Sequence, residues 1–194
     1  MKLQELLKTN DHWNYYGIPG THGTDKNTGH SYISNFYEDA FAKYKDKPIT
    51  LLEIGIARGD SLLLWDSYFV NNTGIYGVDN YDMISLDLRK NTKIQKFFTD
   101  AYSEYFSKML PSFDIIIDDG PHSLDSQKKA IQMYLGKVNP GGIFVIEDIQ
   151  EESSISVLKD TVPEHLKEYC SFIDLRSVKG RNDDMMFVVQ LPEE

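Results

Sequence analysis

Two acidic clusters stand out because each follows a short apolar run of the β type. Residues 118–122 (DDGPH) follow the run 113–117, and Glu147 and Asp148 follow the run 142–146. The carboxyl ends of parallel strands meet at one edge of a sheet, where ligands of open α/β sheets bind. Carboxylates that converge there repel one another unless a metal cation, a proton or a Lys or Arg partner neutralises them. An all-oxygen set suits Mg²⁺, Mn²⁺ or Ca²⁺, and the alternative is that these carboxylates cap the helices that follow.

His122 follows Asp119 closely, in a tight turn that contains Gly120 and Pro121. This turn would hold the imidazole over the same edge of the sheet as the acidic clusters. A neutral imidazole beside a metal site is a suitable general base near pH 7. We therefore interpret His122 as a catalytic base, with a purely structural histidine as the alternative.

A glycine turn joins the apolar run 49–54 to a predicted helix. Its sequence is Gly55-Ile-Ala57-Arg-Gly59. Glycine lets the backbone approach a ligand closely, and the N–H groups at the start of a helix face that ligand. The spacing matches neither the Gly-x-Gly-x-x-Gly of dinucleotide-binding proteins nor the Gly-Lys-Ser/Thr of phosphate loops. We therefore predict a ligand without a pyrophosphate on this turn, the alternative being an ordinary strand-to-helix connection.

Asp79 and Asp100 end the next two predicted strands. An acidic side chain about twenty residues beyond such a glycine turn can accept hydrogen bonds from both hydroxyls of a ribose, which is the role we predict for Asp79. Asp100 lies where a polar residue near an adenine is expected. Each has an alternative role. Asp100 could cap a helix that begins at Ala101. Asp79 could be a turn residue or the cap of the predicted helix 83–90, although Asp82 is better placed to cap that helix.

The elements that must position these residues alternate as βαβ units do. We predict strands over 49–54, 74–78, 94–99, 113–117, 142–146, 169–175 and 185–191, and helices over 61–69, 83–90, 101–109, 124–135 and 154–168. The run 113–117 is apolar nearly throughout, as in a central strand covered on both faces. The last two strands are too close in sequence for a crossover helix, so they should pair as an antiparallel hairpin. The predicted fold is α/β: a Rossmann-like, doubly wound, seven-stranded sheet, mostly parallel with an antiparallel C-terminal hairpin.

Residues 1–47 precede the sheet and contain two predicted helices, 1–8 and 33–45, around a loop over 17–30 that is rich in Gly, Thr and His. A loop of that length in a compact domain usually has a function. We interpret residues 1–47 as a lid or substrate-side segment and residues 48–194 as the sheet domain, the two forming one structural domain.

Charge and cysteine content limit the partners. The 194 residues include 30 acidic and 20 basic side chains, for a formal net charge of −10. This charge disfavours nucleic acid and anionic membranes, so we expect a small-molecule partner and leave a homo-oligomer open. The single cysteine excludes an intramolecular disulfide and agrees with a cytoplasmic location. We see neither a signal peptide nor an apolar span of membrane length.

These motifs together resemble the metal-dependent sugar O-methyltransferases of macrolide biosynthesis, the mycinamicin and macrocin O-methyltransferase family. The resemblance covers roughly residues 20 to 190 and rests on motifs in the same chain order. They are Gly23-Thr-Asp-Lys26, His30-x-Tyr32, Tyr37-Glu38, Leu51-Leu-Glu-Ile-Gly-Ile56, Ser61-x-x-x-Trp65, Ile75-Tyr-Gly-Val-Asp79, residues 113–122 (FDIIIDDGPH), Pro140-Gly-Gly142, Val145-Ile-Glu-Asp148 and Arg181-Asn-Asp-Asp184.

The resemblance implies a class I methyltransferase that uses S-adenosyl-L-methionine and Mg²⁺ or Mn²⁺ to methylate a hydroxyl of a sugar or another vicinal diol. It implies that His122 takes the hydroxyl proton. It places the cofactor at the glycine turn and the metal at the acidic clusters: Glu53, Gly55, Ala57, Gly59 and Asp79 for the cofactor, and Asp119, Glu147 and Asp148 for the metal. Asp100 is the further cofactor residue that we predict from its position at the end of a strand. Two alternatives stay open, a catechol-type O-methyltransferase for aromatic diols and a non-catalytic protein that binds S-adenosylmethionine.

Overall fold

The computed structural model describes residues 1–9 and 23–193, with a seven-stranded sheet at its centre. The strands are β1 (Thr50–Ile54), β2 (Gly74–Asp79), β3 (Gln95–Phe98), β4 (Phe113–Asp118), β5 (Val138–Ile146), β6 (Cys170–Asp174) and β7 (Met185–Gln190). Their order across the sheet is β3-β2-β1-β4-β5-β7-β6. Strands β1 to β5 are parallel, and β7 is antiparallel to both β5 and β6. The predicted α/β fold with its antiparallel C-terminal hairpin is confirmed.

The strand order reverses at β1, because β2 lies on one side of it and β4 on the other. The loops that leave β1 and β4 therefore begin at the topological switch point, where open α/β sheets bind their ligands. A backbone hydrogen bond of 2.8 Å from the Asp119 N–H to the Ile54 carbonyl joins the two strand ends. The glycine turn and the first acidic cluster consequently lie side by side.

Helices cover both faces of the sheet. They are α1 (Leu3–Thr9), α2 (Asp25–Thr28), a π-helix (Ile33–Tyr37), α3 (Glu38–Ala42), α4 (Asp60–Tyr68), α5 (Leu86–Lys90), α6 (Glu104–Met109), α7 (Leu124–Tyr134), α8 (Ser154–Thr161) and α9 (Arg176–Lys179), with 3₁₀ turns at Leu135–Lys137 and Glu164–Tyr169. Within residues 1–9 and 23–193, no helix is long and apolar enough to cross a membrane. The predicted loop covers residues 17–30, of which residues 17–22 lie outside the described residues, as does residue 194.

Two helices begin later than predicted, each after a serine, and the side chain of the first of these serines caps its helix. Helix α5 begins after Ser85, whose Oγ accepts the Leu88 N–H, and not after Asp82. Helix α6 begins after Ser103, whereas Asp100 Oδ1 accepts the Tyr102 N–H in the preceding turn. Ser and Asp side chains both satisfy free N–H groups at helix starts, so composition alone does not choose between neighbouring caps.

Alternate residues of the strands enter two apolar layers, because successive side chains of a strand point to opposite faces. Leu51 of β1 belongs to one layer and Leu52 to the other. The layer around Leu51 also contains Leu3, Phe41 and Trp65, all fully buried. The described part of residues 1–47 therefore shares its core with the sheet.

The π-helix aligns two tyrosines of the N-terminal segment. The Glu38 N–H donates to the Ile33 carbonyl, which is the i to i+5 bond that defines a π-turn. Tyr32 at the start and Tyr37 at the end of this turn are both fully buried, and both hydroxyls reach the carboxyl edge of the sheet. The sequence predicted an ordinary helix here.

Candidate functional site

A cavity of roughly 370 Å³ opens at the switch point, between the turns that follow β1, β2 and β4. This volume falls in the range of small-molecule and cofactor sites. Four of the predicted cofactor residues line it: Gly55, Ala57, Gly59 and Asp79. His122 and Asp119 line its other side, together with Lys26 from the N-terminal segment.

The glycine turn has a left-handed backbone, with φ of +79° at Gly55, +43° at Ala57 and +81° at Gly59. A Cβ atom at position 55 would lie 1.9 Å from the backbone oxygen of Asp119, so only glycine fits there. Asp79 stabilises the turn, since its Oδ2 accepts the N–H groups of Ile56 at 3.0 Å and Ala57 at 2.9 Å. The ribose contact of Asp79 stays a prediction.

Glu53 and Asp100 are placed outside the lining of the cavity. Glu53 is fully buried beneath the glycine turn, where its Oε2 accepts hydrogen bonds from Ser61 Oγ at 2.9 Å and Trp65 Nε1 at 3.0 Å. Burial raises the pKa of Glu53, although the nearby Lys26 opposes the shift. Asp100 is exposed beside the cavity residue Tyr102. Their roles in cofactor binding stay predictions.

The structure places the three predicted metal ligands at the carboxyl edge, where Asp119 and Asp148 offer oxygens close to one another and Glu147 contacts a lysine. Lys26 Nζ lies 2.7 Å from Asp119 Oδ2, 2.5 Å from Glu147 Oε2 and 3.3 Å from Glu53 Oε1. Only 1% of the Lys26 side chain is exposed. A lysine partner was one of the three ways in which the sequence allowed the acidic cluster to be neutralised. Lys26 ends the motif Gly23-Thr-Asp-Lys26, but the sequence alone predicted no role for it.

The pKa shifts in the cluster follow from burial and from this lysine. Burial by itself would lower the pKa of Lys26, but the charges of Asp119, Glu147 and Glu53 outweigh it and raise that pKa well above its ordinary value. Burial raises the pKa of Glu147, with Lys26 opposing. Burial also acts to raise the pKa of Asp119, but Lys26 and His122 reverse the shift and lower it. Lys26 therefore remains a cation in this site.

His122 faces the carboxylate oxygens that Lys26 does not contact. Its Nε2 lies 3.1 Å from Asp119 Oδ1 and 3.7 Å from Asp148 Oδ2. One ligand atom from each of these three residues lies within 4.8 Å of the others, which is a separation that a cation can bridge. Burial acts to lower the pKa of His122, but the hydrogen bond and charge of Asp119 outweigh it and raise that pKa.

The donor set fits a hard divalent cation. Asp119 and Asp148 offer oxygens toward a common point, and such oxygens are the ligands of Mg²⁺ and Mn²⁺. Glu147 Oε2 accepts from Lys26 and its Oε1 accepts from the Tyr37 hydroxyl. Both Glu147 oxygens therefore have a protein donor, and the role of Glu147 as a third ligand stays a prediction.

Two further residues of the N-terminal segment, Tyr32 and His30, contact Asp148, and the sequence did not predict these contacts. The Tyr32 hydroxyl donates to Asp148 Oδ1 at 2.6 Å. His30 Nδ1 lies 3.4 Å from the same oxygen and 3.4 Å from Asp184 Oδ1. The signal that could have identified them is their position in the His30-x-Tyr32 motif, close to Lys26.

Lys179 of α9 holds this segment in place through its backbone. Its Nζ donates to the carbonyl of Asn27, to that of Thr28 at 3.3 Å and to that of His30 at 2.7 Å. The connection between β6 and β7 thereby secures the stretch of chain that carries Lys26.

Comparison with known proteins places the chain in a family. A family model described as a methyltransferase domain matches residues 52–149. The chain belongs to this methyltransferase family. The matched residues include the glycine turn, both acidic clusters and His122.

Two curated relatives of this methyltransferase come from Streptomyces olivaceus. The first, 8-demethyl-8-alpha-L-rhamnosyl tetracenomycin-C 2'-O-methyltransferase, is 32% identical over 159 residues, which cover 76% of this chain and 42% of the relative. The second, 8-demethyl-8-(2-methoxy-alpha-L-rhamnosyl)-tetracenomycin-C 3'-O-methyltransferase, is 33% identical over 140 residues, with coverages of 68% and 36%. The chain thus spans less than half the length of these two relatives.

A solved structure shows the same fold. The MycE methyltransferase from the mycinamycin biosynthetic pathway, in complex with Mg, SAH and mycinamycin VI, superposes with a TM-score of 0.69 at 21% identity. The match covers the whole of this chain and 54% of MycE. At this identity the match supports the fold of the methyltransferase family, and its ligands are those of MycE.

Proposed function

We propose that this chain is an S-adenosyl-L-methionine-dependent O-methyltransferase that acts, with a divalent cation, on a hydroxyl of a sugar or another vicinal diol. The observation that carries the proposal is the position of His122, which faces Asp119 and Asp148 at the wall of a cavity that the glycine turn also lines. The names of the two curated relatives, both rhamnosyl O-methyltransferases, support a sugar as the substrate.

In this proposal the turn of Gly55, Ala57 and Gly59 receives the cofactor, with Asp79 at the ribose. Asp119 and Asp148 hold the metal, with Glu147 as the predicted third ligand. The chemistry that the two groups supply when bound is an activated methyl group and a cation that lowers the pKa of a nearby hydroxyl. His122 Nε2 accepts the proton of that hydroxyl, and its neighbours Asp119 and Asp148 stabilise the imidazolium that results.

The residues of the site also favour alignment of the two reactants. The backbone near Ala57, His122 and Asp148 is left-handed, with φ of 43°, 58° and 54°. Such conformations cost free energy and often occur at functional sites, where the surrounding structure fixes them. Fixed positions for the cofactor turn, the base and a metal ligand lower the entropic cost of bringing a hydroxyl to the methyl group.

The first test is calorimetric titration of S-adenosylhomocysteine into the protein with Mg²⁺ and again after chelation. We expect micromolar binding in both conditions, because the glycine turn and Asp79 do not include the predicted metal ligands. A separate titration with Mg²⁺ should show metal binding. The absence of cofactor binding in both conditions would overturn the proposal.

The second test supplies S-adenosylmethionine, Mg²⁺ and a panel of acceptors: rhamnosides, other sugars with vicinal hydroxyls, and catechol. Methyl transfer to a sugar supports the proposal, and transfer to catechol alone would favour an aromatic diol as the substrate. Cofactor binding without any transfer would favour a non-catalytic role. The cytoplasmic location and a homo-oligomeric state stay predictions that fractionation and light scattering can test.

A further inference from the structure

The ammonium group of Lys26 lies among carboxylates. Its ammonium contacts Asp119, Glu147 and Glu53 at 2.7, 2.5 and 3.3 Å, and its side chain is buried. Two of these partners are predicted metal ligands, whereas Glu53 is not. The lysine therefore lies between the proposed metal site and the carboxylate beneath the glycine turn.

The ammonium divides the carboxylate oxygens into two groups. Lys26 Nζ donates to Oδ2 of Asp119 and Oε2 of Glu147. Oδ1 of Asp119 and Oδ2 of Asp148 face His122 instead. Tyr37 and Tyr32 donate to the remaining oxygens, Glu147 Oε1 and Asp148 Oδ1. The two oxygens that face His122 are the ones that neither the lysine nor these tyrosines contact.

We propose that Lys26 is a positioning residue, a resident cation that occupies one part of the acidic cluster and directs a single divalent ion to Asp119 Oδ1 and Asp148 Oδ2, beside His122. This inference rests on the metal site in the proposed function. It also gives the N-terminal segment a direct part in the site, because Lys26 belongs to that segment. Lys179 binds backbone carbonyls of the residues that follow Lys26.

The proposal predicts that removal of the Lys26 charge increases the affinity for the metal ion but decreases the rate of methyl transfer. Removal of the ammonium takes one positive charge away from the carboxylates that it contacts. Because a positive charge a few ångströms away repels a divalent ion, the Lys26→Met variant should bind Mn²⁺ at least about ten-fold more tightly than the wild type. Its methyl transfer should nevertheless be slower, because the freed oxygens draw the ion away from His122.

The experiment is titration of Mn²⁺ into the full chain at pH 8, followed by calorimetry, with thermal unfolding measured at zero and saturating Mn²⁺. The variants are Lys26→Met, Lys26→Gln and Lys26→Arg. Gln keeps N–H donors without the charge and serves as the neutral variant if Met prevents folding. Arg keeps the charge and should restore Mn²⁺ affinity to near the wild-type value. The rise in unfolding temperature on adding Mn²⁺ should be larger for the neutral variants than for the wild type.

Lys43→Met is the control, because it removes an exposed lysine of the same N-terminal segment whose Nζ donates to the Gly141 carbonyl at 3.3 Å and not to the acidic cluster. We expect its Mn²⁺ affinity to stay within about three-fold of the wild-type value. A folded neutral variant whose Mn²⁺ affinity is unchanged or weaker would overturn the role of Lys26 while leaving the proposed function intact. If neither the wild type nor the neutral variants bind Mn²⁺, both this inference and the metal-assisted part of the proposed function are wrong.

Discussion

The Nε2 atom of His122 lies 3.1 Å from Oδ1 of Asp119, on the cavity side of the acidic cluster. If His122 is the base, its replacement should remove proton transfer and leave cofactor binding intact. We expect His122→Asn to lower methyl transfer by about 10²- to 10⁴-fold, with unchanged affinity for S-adenosylhomocysteine. Asn suits this test because position 122 has a φ of 58°, which Asn adopts more readily than most residues.

The control for this variant is His165→Asn, which changes an exposed histidine in the 3₁₀ turn Glu164–Tyr169. It should leave the rate of methyl transfer unchanged. A His122→Asn protein that keeps most of its activity would show that another group accepts the proton.

Asp118 predicts a dependence of stability on pH in the metal-free protein. Burial raises the pKa of Asp118 to about 7, although a hydrogen bond from the Tyr102 hydroxyl at 2.7 Å opposes the shift. Between about pH 4 and 7 the folded state therefore binds a proton that the unfolded state has lost. The free energy of unfolding should fall as the pH rises through this window. Above pH 7 the stabilisation from the protonated Asp118 is lost completely.

Asp118→Asn removes this titration and keeps an oxygen for Tyr102. Each pH unit between pH 5 and the folded-state pKa of about 7 corresponds to about 1.4 kcal/mol, so the variant should gain up to about 3 kcal/mol of unfolding free energy at pH 8 relative to pH 5. Urea denaturation at the two pH values, with a chelator present, measures the difference. An equal effect of the substitution at pH 5 and pH 8 would contradict the assignment.

Gly55 and Gly180 separate the cost of a left-handed backbone from the cost of a steric clash. Both have a positive φ, +79° and +74°, but a Cβ at 55 would meet the Asp119 carbonyl at 1.9 Å whereas a Cβ at 180 meets open space. We expect Gly180→Ala to cost about 1 to 2 kcal/mol of stability, from conformation alone. Gly55→Ala should cost well beyond that and abolish cofactor binding, as thermal unfolding and calorimetry would show. Equal losses in the two variants would refute the clash.

Tyr32 and Tyr44 form a matched pair for the support of the metal site. The Tyr32 hydroxyl donates to Asp148 Oδ1 at 2.6 Å, and the Tyr44 hydroxyl donates to the Gly141 carbonyl at 2.7 Å. Groups that orient a metal ligand typically contribute 10- to 100-fold to metal affinity. Tyr32→Phe should therefore weaken Mn²⁺ binding by about that factor, and Tyr44→Phe should leave it unchanged. Equal Mn²⁺ affinities in the two variants would argue against support of Asp148 by Tyr32.

Much of the fold was predictable because the strands carry local signals. The nearly continuous apolar run 113–117 became β4, which pairs with β1 and β5 as a central strand does. The short spacer before 185–191 correctly indicated an antiparallel pair, β6 and β7. Strand β5 begins at Val138, earlier than predicted. Its first residues are polar or glycine and therefore lack the apolar pattern of a strand, and its pairing with β4 contains a register shift between Phe113 and Ile115.

The acidic cluster was predictable from the rule for carboxyl edges, but its lysine was not. Lys26 lies 93 residues from Asp119 and 121 from Glu147 in the chain. No local periodicity reports where a segment before the sheet will dock. The same reason applies to Tyr32 and His30, whose contacts with Asp148 depend on packing of the N-terminal segment against the sheet.

The π-helix over Ile33–Tyr37 makes the site sensitive to chain length as well as to side-chain identity. A π-turn holds more residues than an α-turn, and here the wider turn lets Tyr32 and Tyr37 reach the adjacent carboxylates Asp148 and Glu147. In an α-helix, residues five apart would differ in direction by about 140°. Deletion of the exposed Ser34 would leave the two tyrosines four residues apart, and residues four apart differ in direction by only about 40° in an α-helix. Conversion of the π-turn to an α-helix therefore keeps both tyrosines on the side of the carboxylates only if one residue is lost with it. Natural variants of this chain that keep the metal site should accordingly have either the present spacing with a π-turn or a spacing shorter by one residue with an α-helix.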